Sequence, residues 1–497
     1  MENKFSGHLA KDLMRMRDGL HMDVNMDVNL REFSFLHFSA AIFYLDGMVS
    51  SNMLQAYVIK PCLEAKLLMP MAGTALDLLT KKVLISSSFE IERDIKKSIQ
   101  ALMNGQVVLL CDTMAEAILV DIREFAKRPV GTPLTESVVV GQQQGFNESI
   151  RDNITLIRRI VHSADLINEM TTVGRNVPTA LSILYLKGIA SEAALERLKG
   201  RIRQIDLDCV LSLGILQQLI EDHPLAFLPQ AVTTERPDRV ASFLMEGQIV
   251  LVMDGSPMAL ALPINFFHLM HTSDDTNMRW QYGTFIRLIR LIGICTMLYL
   301  PSVFVALTMY HLEALPLPLI DSIIESQSAV PLSLFMETLL MLIMFNLINE
   351  AGTRVPGILG SSLSIVSGLI LGQAAVEAKL ISPLLIIVVA SAGLGSHAIP
   401  DYSVSTAFRI LQLAFLLAAA LGGFFGLSLL TVFFVCGLCG MTSLGVPYLA
   451  PLSPKRSRNL DLLLRLPIFH QRYRTYLADE AAPARSRGRM RMWEGRN

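Results

Sequence analysis

Charge is scarce in this chain. Of 497 residues only 18% are charged, against 52% hydrophobic, and mean hydropathy is +0.45. Soluble proteins of ordinary composition carry about a quarter charged residues, so one uniformly soluble globule is excluded. The scarcity is local. From Leu291 to Ala450, 160 residues hold ten charged side chains, and the other 337 hold the remaining 77. The six cysteines (Cys62, Cys111, Cys209, Cys295, Cys436, Cys439) are scattered, which excludes a disulfide framework. Cys436 and Cys439 form a C-x-x-C, but inside an apolar run without a second ligand pair, and are read as small packing residues. A net charge of -1 gives no basis for a nucleic-acid partner. The start, MENKFSGHLAKDLMRMRDG, lacks the apolar stretch of a signal peptide. The front half is therefore expected to stay on the side of the membrane where it is made. Phosphate-loop, dinucleotide-loop, H-E-x-x-H and G-x-S-x-G patterns are all missing. No catalytic residue, metal ligand or cofactor site is expected, and the chain is read as something other than an enzyme.

What is present begins with apolar runs. Six candidate spans lie at roughly 291–310, 329–349, 357–375, 380–397, 408–425 and 427–445, each near the length a ~30 Å hydrocarbon core requires. The last two are separated only by Gly422, Gly423 and Gly426, as a tight hairpin or one long broken helix. Arg279, Arg287 and Arg290 precede the first span, Arg354 follows the second, Arg409 the fourth, and Lys455, Arg456 and Arg458 the last. An even number of crossings puts all of these on the cytoplasmic side. Glu337 sits in the middle of the second span, where a carboxylate costs on the order of 3 kcal/mol. It faces either a watery path or a hydrogen-bonding partner within the bundle. In the third span Gly357, Ser361, Ser364, Gly368 and Gly372 recur every three or four residues, making a small, partly polar stripe. Such a stripe serves close helix packing or, in an oligomer, the wall of a narrow hydrated pore. The segment Leu312–Ile320 is too short to span and is read as interfacial or re-entrant.

The front half contains a repeat. MNGQVVLLCD at 103–112 and MEGQIVLVMD at 245–254 agree at six of ten positions at an offset of 142, and AIFYLDG at 41–47 aligns with SILYLKG at 182–188 at an offset of 141. A duplicated unit follows: a strand (Ala40–Leu45; Leu181–Leu186), helices ending at Gly105 or Gly247, then a hairpin (Gln106–Cys111 with Ala117–Ile122; Gln248–Met253 with Met258–Leu262). The expected fold is an α/β soluble N-terminal region of two related subdomains followed by an all-α polytopic membrane domain. The expected limits are an N-terminal segment 1–24, subdomains 25–135 and 165–279 joined by a linker helix 136–164, a membrane domain 280–450 and a basic cytoplasmic tail 451–497. Residues 455–497 carry eleven Lys/Arg and four Asp/Glu, a composition suited to an anionic lipid surface or to a solvated tail. The linker, with Gly141, Gly145 and Arg158, reads as a subdomain or subunit contact.

These motifs together resemble the A subunit of GerA-type spore germination receptors: Gly141…Gly145-Phe146-x-Glu148…Asn153…Arg158, Glu235-Arg236-Pro237-Asp238, Glu246-Gly247, Arg287-x-x-Arg290, Glu350-Ala-Gly-x-Arg354-x-Pro356 and Pro447-Tyr448. The resemblance covers about residues 30–455. It implies a cytoplasmic two-part domain and a multi-pass domain in the inner membrane of a bacterial endospore. It also implies a transporter-like B subunit and a lipoprotein C subunit as partners, a homo-oligomer on the pattern of a pentamer, and a ligand-gated cation channel. A paralogous branch, the stage V sporulation AF-type protein that amplifies ion release, shares the pattern, and a non-conducting membrane scaffold is a third reading. Pore or packing roles then fall to Gly357, Ser361, Ser364, Gly368, Gly372, Glu337 and Glu350. Subunit contacts fall to Gly141, Gly145, Phe146, Glu148, Arg158, Arg287, Arg290 and Arg354. The chain departs from the family pattern at Gln142-Gln143-Gln144, Asp274-Asp275-Thr276, Asn346 and Asn349, and each departure is expected to remove an ion-pair partner.

Overall fold

The computed structural model describes residues 3–36, 38–65, 74–84, 89–123, 133, 136, 138, 141–328, 330–354, 368, 370–454, 464–471, 473–474 and 484–485. Two five-stranded sheets come first. The strands of the first are β1 (Val28–Phe35), β2 (Phe38–Leu45), β3 (Phe89–Glu92), β4 (Val107–Cys111) and β5 (Ala117–Val120), ordered β1-β2-β4-β5-β3. Those of the second are β6 (Leu166–Val173), β7 (Thr179–Leu186), β8 (Val232–Thr234), β9 (Ile249–Met253) and β10 (Ala259–Leu262), ordered β6-β7-β9-β10-β8. Every pairing is antiparallel and the two orders are the same. Ala40 pairs with Cys111 in one sheet and Leu181 with Met253 in the other, so the two sequence offsets of the repeat are offsets of sheet register.

Strands β4, β5, β9 and β10 are apolar at every position because both sheet faces are covered, and their two-residue period divides the side chains between two cores. Val107, Leu109 and Cys111 face one core of the first sheet, Val108 and Leu110 the other. Ile249, Leu251 and Met253 face one core of the second, Val250 and Val252 the other. Helices α1 (Ile95–Met103) and, later in the chain, Pro237–Met245 are the equivalent elements of the two units. Each ends one residue before a cap followed by glycine, and Gly105 and Gly247 have φ of 87° and 91°. An L side chain rarely adopts that conformation. Between the sheets lies α2 (Ile150–Arg158), its start capped by Ser149, whose hydroxyl accepts from the Asp152 amide. The remaining helices of the second unit include α3 (Glu192–Arg203) and α4 (Pro237–Met245).

After a short helix α5 (Ser273–Asn277) the chain becomes helical: α6 (Trp280–Tyr310), α7 (Leu317–Ser328), α8 (Leu334–Arg354), α9 (Pro383–His397) and α10 (Tyr402–Gly440). Among the described residues, α6, Leu334–Gly352 of α8 and α10 are long and apolar enough to cross a membrane. Of the third candidate span, residues 368 and 370–377 are helical, and Gly357, Ser361 and Ser364 lie outside the described residues. α10 is a hairpin. Gly423 is non-helical (φ 58°, ψ -138°), and the Phe415 and Phe434 rings lie 6.2 Å apart where a straight helix would separate them by ~28 Å. Cys436 and Cys439 are exposed on the returning limb rather than packed within the chain, because that face of the hairpin turns away from the bundle. A two-strand ribbon, β11 (Thr442–Ser443) and β12 (Val446–Pro447), follows directly.

Candidate functional site at the membrane junction

The two ends of the helical region meet on the second sheet. At the entrance, Thr272 and Asp275 form a capping box at the start of α5. Asp275 is fully buried and accepts from Arg290 Nη1 at 2.6 Å, with Arg287 Nε 3.7 Å away. Arg290 also donates to the Met270 carbonyl at 2.7 Å and to Thr272 Oγ1 at 2.9 Å. The expectation that Asp274-Asp275-Thr276 lacks an ion-pair partner is therefore corrected: the acid one turn before α6 reaches both arginines of the helix. Arg287 and Arg290 are 8% and 9% exposed.

At the exit, the β11–β12 ribbon docks between the loops of the second subdomain. Ser443 Oγ donates to the Gln230 carbonyl at 2.7 Å and accepts from the Ile264 amide at 3.1 Å. Tyr448 donates to the Pro229 carbonyl at 2.7 Å, its carbonyl accepts from the Phe266 amide at 2.9 Å, and burial holds its phenol well above the usual range. Phe266 stacks against both Phe408 and Tyr448. Asp222 accepts from Thr442 Oγ1 and from the Gly445 amide (3.0 Å) and pairs with Arg201 at 2.6 Å. Burial opposes its charge, and those donors still hold its carboxyl below the usual range. His268, fully enclosed in the same turn, is pulled down to about 3 by burial and by the charges of Arg239 and Arg287.

The linker residues pack into the same apolar core as the junction, where Phe146, Leu156 and Ile157 join Met297 and Tyr448. Arg158 is 2% exposed, bonded through Nε and Nη2 to Asp27 at 2.7 and 2.9 Å and to Asn25 at 3.1 Å. It ties α2 to the first subdomain within one chain. Phe146 is buried in the second core and its amide donates to the Glu235 carbonyl at 2.8 Å. Gly145 is buried beside it, while Glu148 and Gly141 are exposed. The Gly255 amide donates to the Glu148 carbonyl at 2.8 Å, and Gly141 lies against Asn277 and Arg236. Gln142 keeps a contact despite its lost charge: its carbonyl accepts from Arg236 at 2.8 Å.

In the membrane region Glu337 is 1% exposed and accepts from the Ser382 amide at the start of α9. Glu350 and Arg354 pair with each other one turn apart at 2.7 Å, both side chains exposed. Glu350 also lines a cavity of ≈ 390 Å³ with Asn346, Tyr402, Thr406 and Arg409. Among the described residues, a side chain added at Gly368 would meet nothing within 4 Å, and one at Gly372 only the tip of Ile386 at 4.0 Å. The tail, where described, folds back: Arg465 donates to the Thr276 carbonyl at 2.7 Å, Arg474 to that of Met245 at 3.0 Å, and Arg485 pairs with Glu246. No group of three or more His, Cys, Asp or Glu placed to hold a metal occurs among the described residues.

Residues 16–477 match the family model of Bacillus/Clostridium GerA spore germination proteins. The chain belongs to this family. Spore germination protein KA of Bacillus subtilis (strain 168) is 32% identical over 482 residues, covering 96% of this chain and 86% of that protein. Spore germination protein GerLA of Bacillus cereus is 31% identical over 451 residues, covering 91% of each. A crystal structure of the N-terminal domain of the A subunit of the Bacillus megaterium germinant receptor GerK3 overlaps 54% of this chain and 98% of its own, at 25% identity and a TM-score of 0.43.

Within this GerA-family chain, sequence reasoning missed the partners more often than the arginines. Asp27 and Asn25 lie more than 130 positions from Arg158, and Asp222 lies 220 from Thr442. It also missed a close helix contact. An added Cβ at Gly395 would collide with the Gly293 carbonyl, and one at Gly293 would stand 2.9 Å from Ala398 Cβ, so α6 and α9 pack backbone to backbone. The signal was there in Gly393-x-Gly395, in the fourth span rather than the third.

Proposed function

We propose that this chain is the A subunit of a nutrient-germinant receptor of bacterial spores, acting as a structural and ion-conducting component rather than an enzyme. The family match over residues 16–477 supports the receptor role. The observation that carries the mechanism is the grip of the second subdomain on both ends of the helical region, at Asp275–Arg290 and at Ser443–Tyr448. Motion of the soluble part would then be delivered to α6 and α10 together. In this reading the chain sits in the inner spore membrane with its soluble part and tail in the cytoplasm. It assembles with copies of itself, in a ring such as a pentamer, and with a transporter-like B subunit and a lipoprotein C subunit.

The ion path would run along the face bearing Gly368 and Gly372, with Ser361, Ser364 and Gly357 continuing it and Glu350 near its end, because a side chain at Gly368 meets no described residue within 4 Å in the single chain. Glu337 is enclosed within the protomer; here it secures α8 to the positive end of α9. Spores carrying Gly368→Leu should release cations more slowly on germinant addition while accumulating the chain normally. Unchanged release at unchanged protein level would remove the pore role from this face.

A further inference from the structure

Most large exposed apolar side chains of this protein lie on its helical region, where a bilayer would cover them. Leu225 and Phe227 do not. They stand on the His223–Pro229 loop of the second subdomain, between two prolines, 96% and 62% exposed. The loop is fixed in place by the end of α10. Asp222 accepts from Thr442 and Gly445, Pro229 from Tyr448 and Gln230 from Ser443. All four donors follow within eight residues of Gly440, the last residue of that helix. The depth of the loop is thus set by the point where α10 leaves the membrane.

Between loop and hairpin lies a cavity of ≈ 630 Å³ walled by Phe227, Leu228, Leu411, Phe415, Phe434 and Leu438. It reaches Leu430, ~15 Å along the helix from Gly440 at the α-helical rise. Val432 and Phe433 of the same limb are 59% and 66% exposed, so the cavity opens beside a face that acyl chains would bathe. Exposed Arg197, which donates to the Leu444 carbonyl at 3.0 Å, sits at the level of the loop's anchor, where phosphates would lie.

We propose that the His223–Pro229 loop is a lipid anchor: Leu225 and Phe227 enter the leaflet on the soluble-domain side, and the cavity behind them holds a phospholipid acyl chain. Aliphatic and aromatic side chains at that depth are stabilised by the same transfer that places interfacial helices. The inference rests on α10 crossing a bilayer and is independent of ion conduction, so it can fail while the receptor reading stands.

The test uses the full chain in nanodiscs holding one copy, with Trp280→Phe and Trp493→Phe removing both native indoles, and Leu225→Trp as probe. Phosphatidylcholine–phosphatidylglycerol discs are compared with and without bromine on the acyl chains. The expected result is blue-shifted emission that loses most of its intensity with brominated lipid. Water-like emission would overturn the proposal. So would blue-shifted emission insensitive to bromine, which would mean that protein covers the loop. Phe227→Trp in the same background repeats the measurement at the cavity mouth, and the same two outcomes there would count against it.

Discussion

At the scale of single residues, buried Arg158 and Arg290 each meet a carboxylate. A buried ion stripped of its partner costs several kcal/mol, which is why Arg158 takes a bidentate carboxylate and Arg290 takes a carboxylate, a carbonyl and a hydroxyl. His268 takes the other course and stays neutral. Its folded pKa of about 3 lies below the ordinary 6.5 because burial and two nearby guanidinium groups disfavour the imidazolium. Between those values the unfolded chain binds a proton that the folded chain does not, so stability rises with pH there. The contribution is complete above about pH 6.5 and is lost progressively as pH falls toward about 3. His268→Gln should flatten the rise of the thermal midpoint over that range, measured on the detergent-solubilised chain. An unchanged slope would mean that the imidazole titrates normally. The arginines were legible in the sequence as an unusual pair ahead of an apolar run. The partner of Arg158 was not, because a contact spanning 131 residues leaves no local pattern.

At the scale of elements, legibility followed periodicity. β4, β5, β9 and β10 are unbroken apolar runs, β4 and β9 each closely preceded by a glycine, and they read as hairpins from sequence. β1 and β6 escaped notice because VNLREFSF and LINEMTTV mix charge with apolar residues, as edge strands with one solvated face do. In the helical region the small-residue stripe of the third span drew attention, yet the close approach described here joins α6 to α9. Such contacts depend on two glycines in different helices, each unremarkable alone. Gly395→Ala would push the helices apart against the Gly293 carbonyl and should destabilise the protein by about 1–3 kcal/mol, as overpacking does. Gly437→Ala is the matched control. Its new methyl meets no described residue within 4 Å, and replacing a glycine inside a helix should stabilise by about 0.5–1 kcal/mol. Thermal midpoints of both variants in the same detergent decide the matter, and equal midpoints would contradict backbone-to-backbone packing.

At the scale of the whole molecule, one apolar core connects what the composition separates. Leu184 and Val250 of the second sheet, Met297 of α6 and Phe415 of α10 belong to the same buried cluster, so the second subdomain and two membrane helices cannot move independently without opening it. The first subdomain reaches this unit through Arg158 on Asp27 and directly at β6, where Met26 donates to the Asn168 carbonyl and Asn25 accepts from the Asn168 amide. On the proposed channel reading, rigid-body displacement of the soluble part would be the input and tilting of α6 and α10 the output. Asp275 is where that coupling is narrowest, a single carboxylate between α5 and two arginines of α6. Asp275→Asn preserves the side chain's shape and takes the carboxylate away from buried Arg290, a loss on the order of 3–5 kcal/mol. Spores with this variant should retain the chain in the membrane yet respond to germinant with slower cation release. Adding Arg290→Gln, which removes that buried charge, should recover part of the thermal stability. It should not recover the rate, because the tie between α5 and α6 stays broken. Full-rate release from Asp275→Asn spores, with the chain present at normal level, would show that the signal enters the membrane helices elsewhere, with the β11–β12 ribbon the next place to cut.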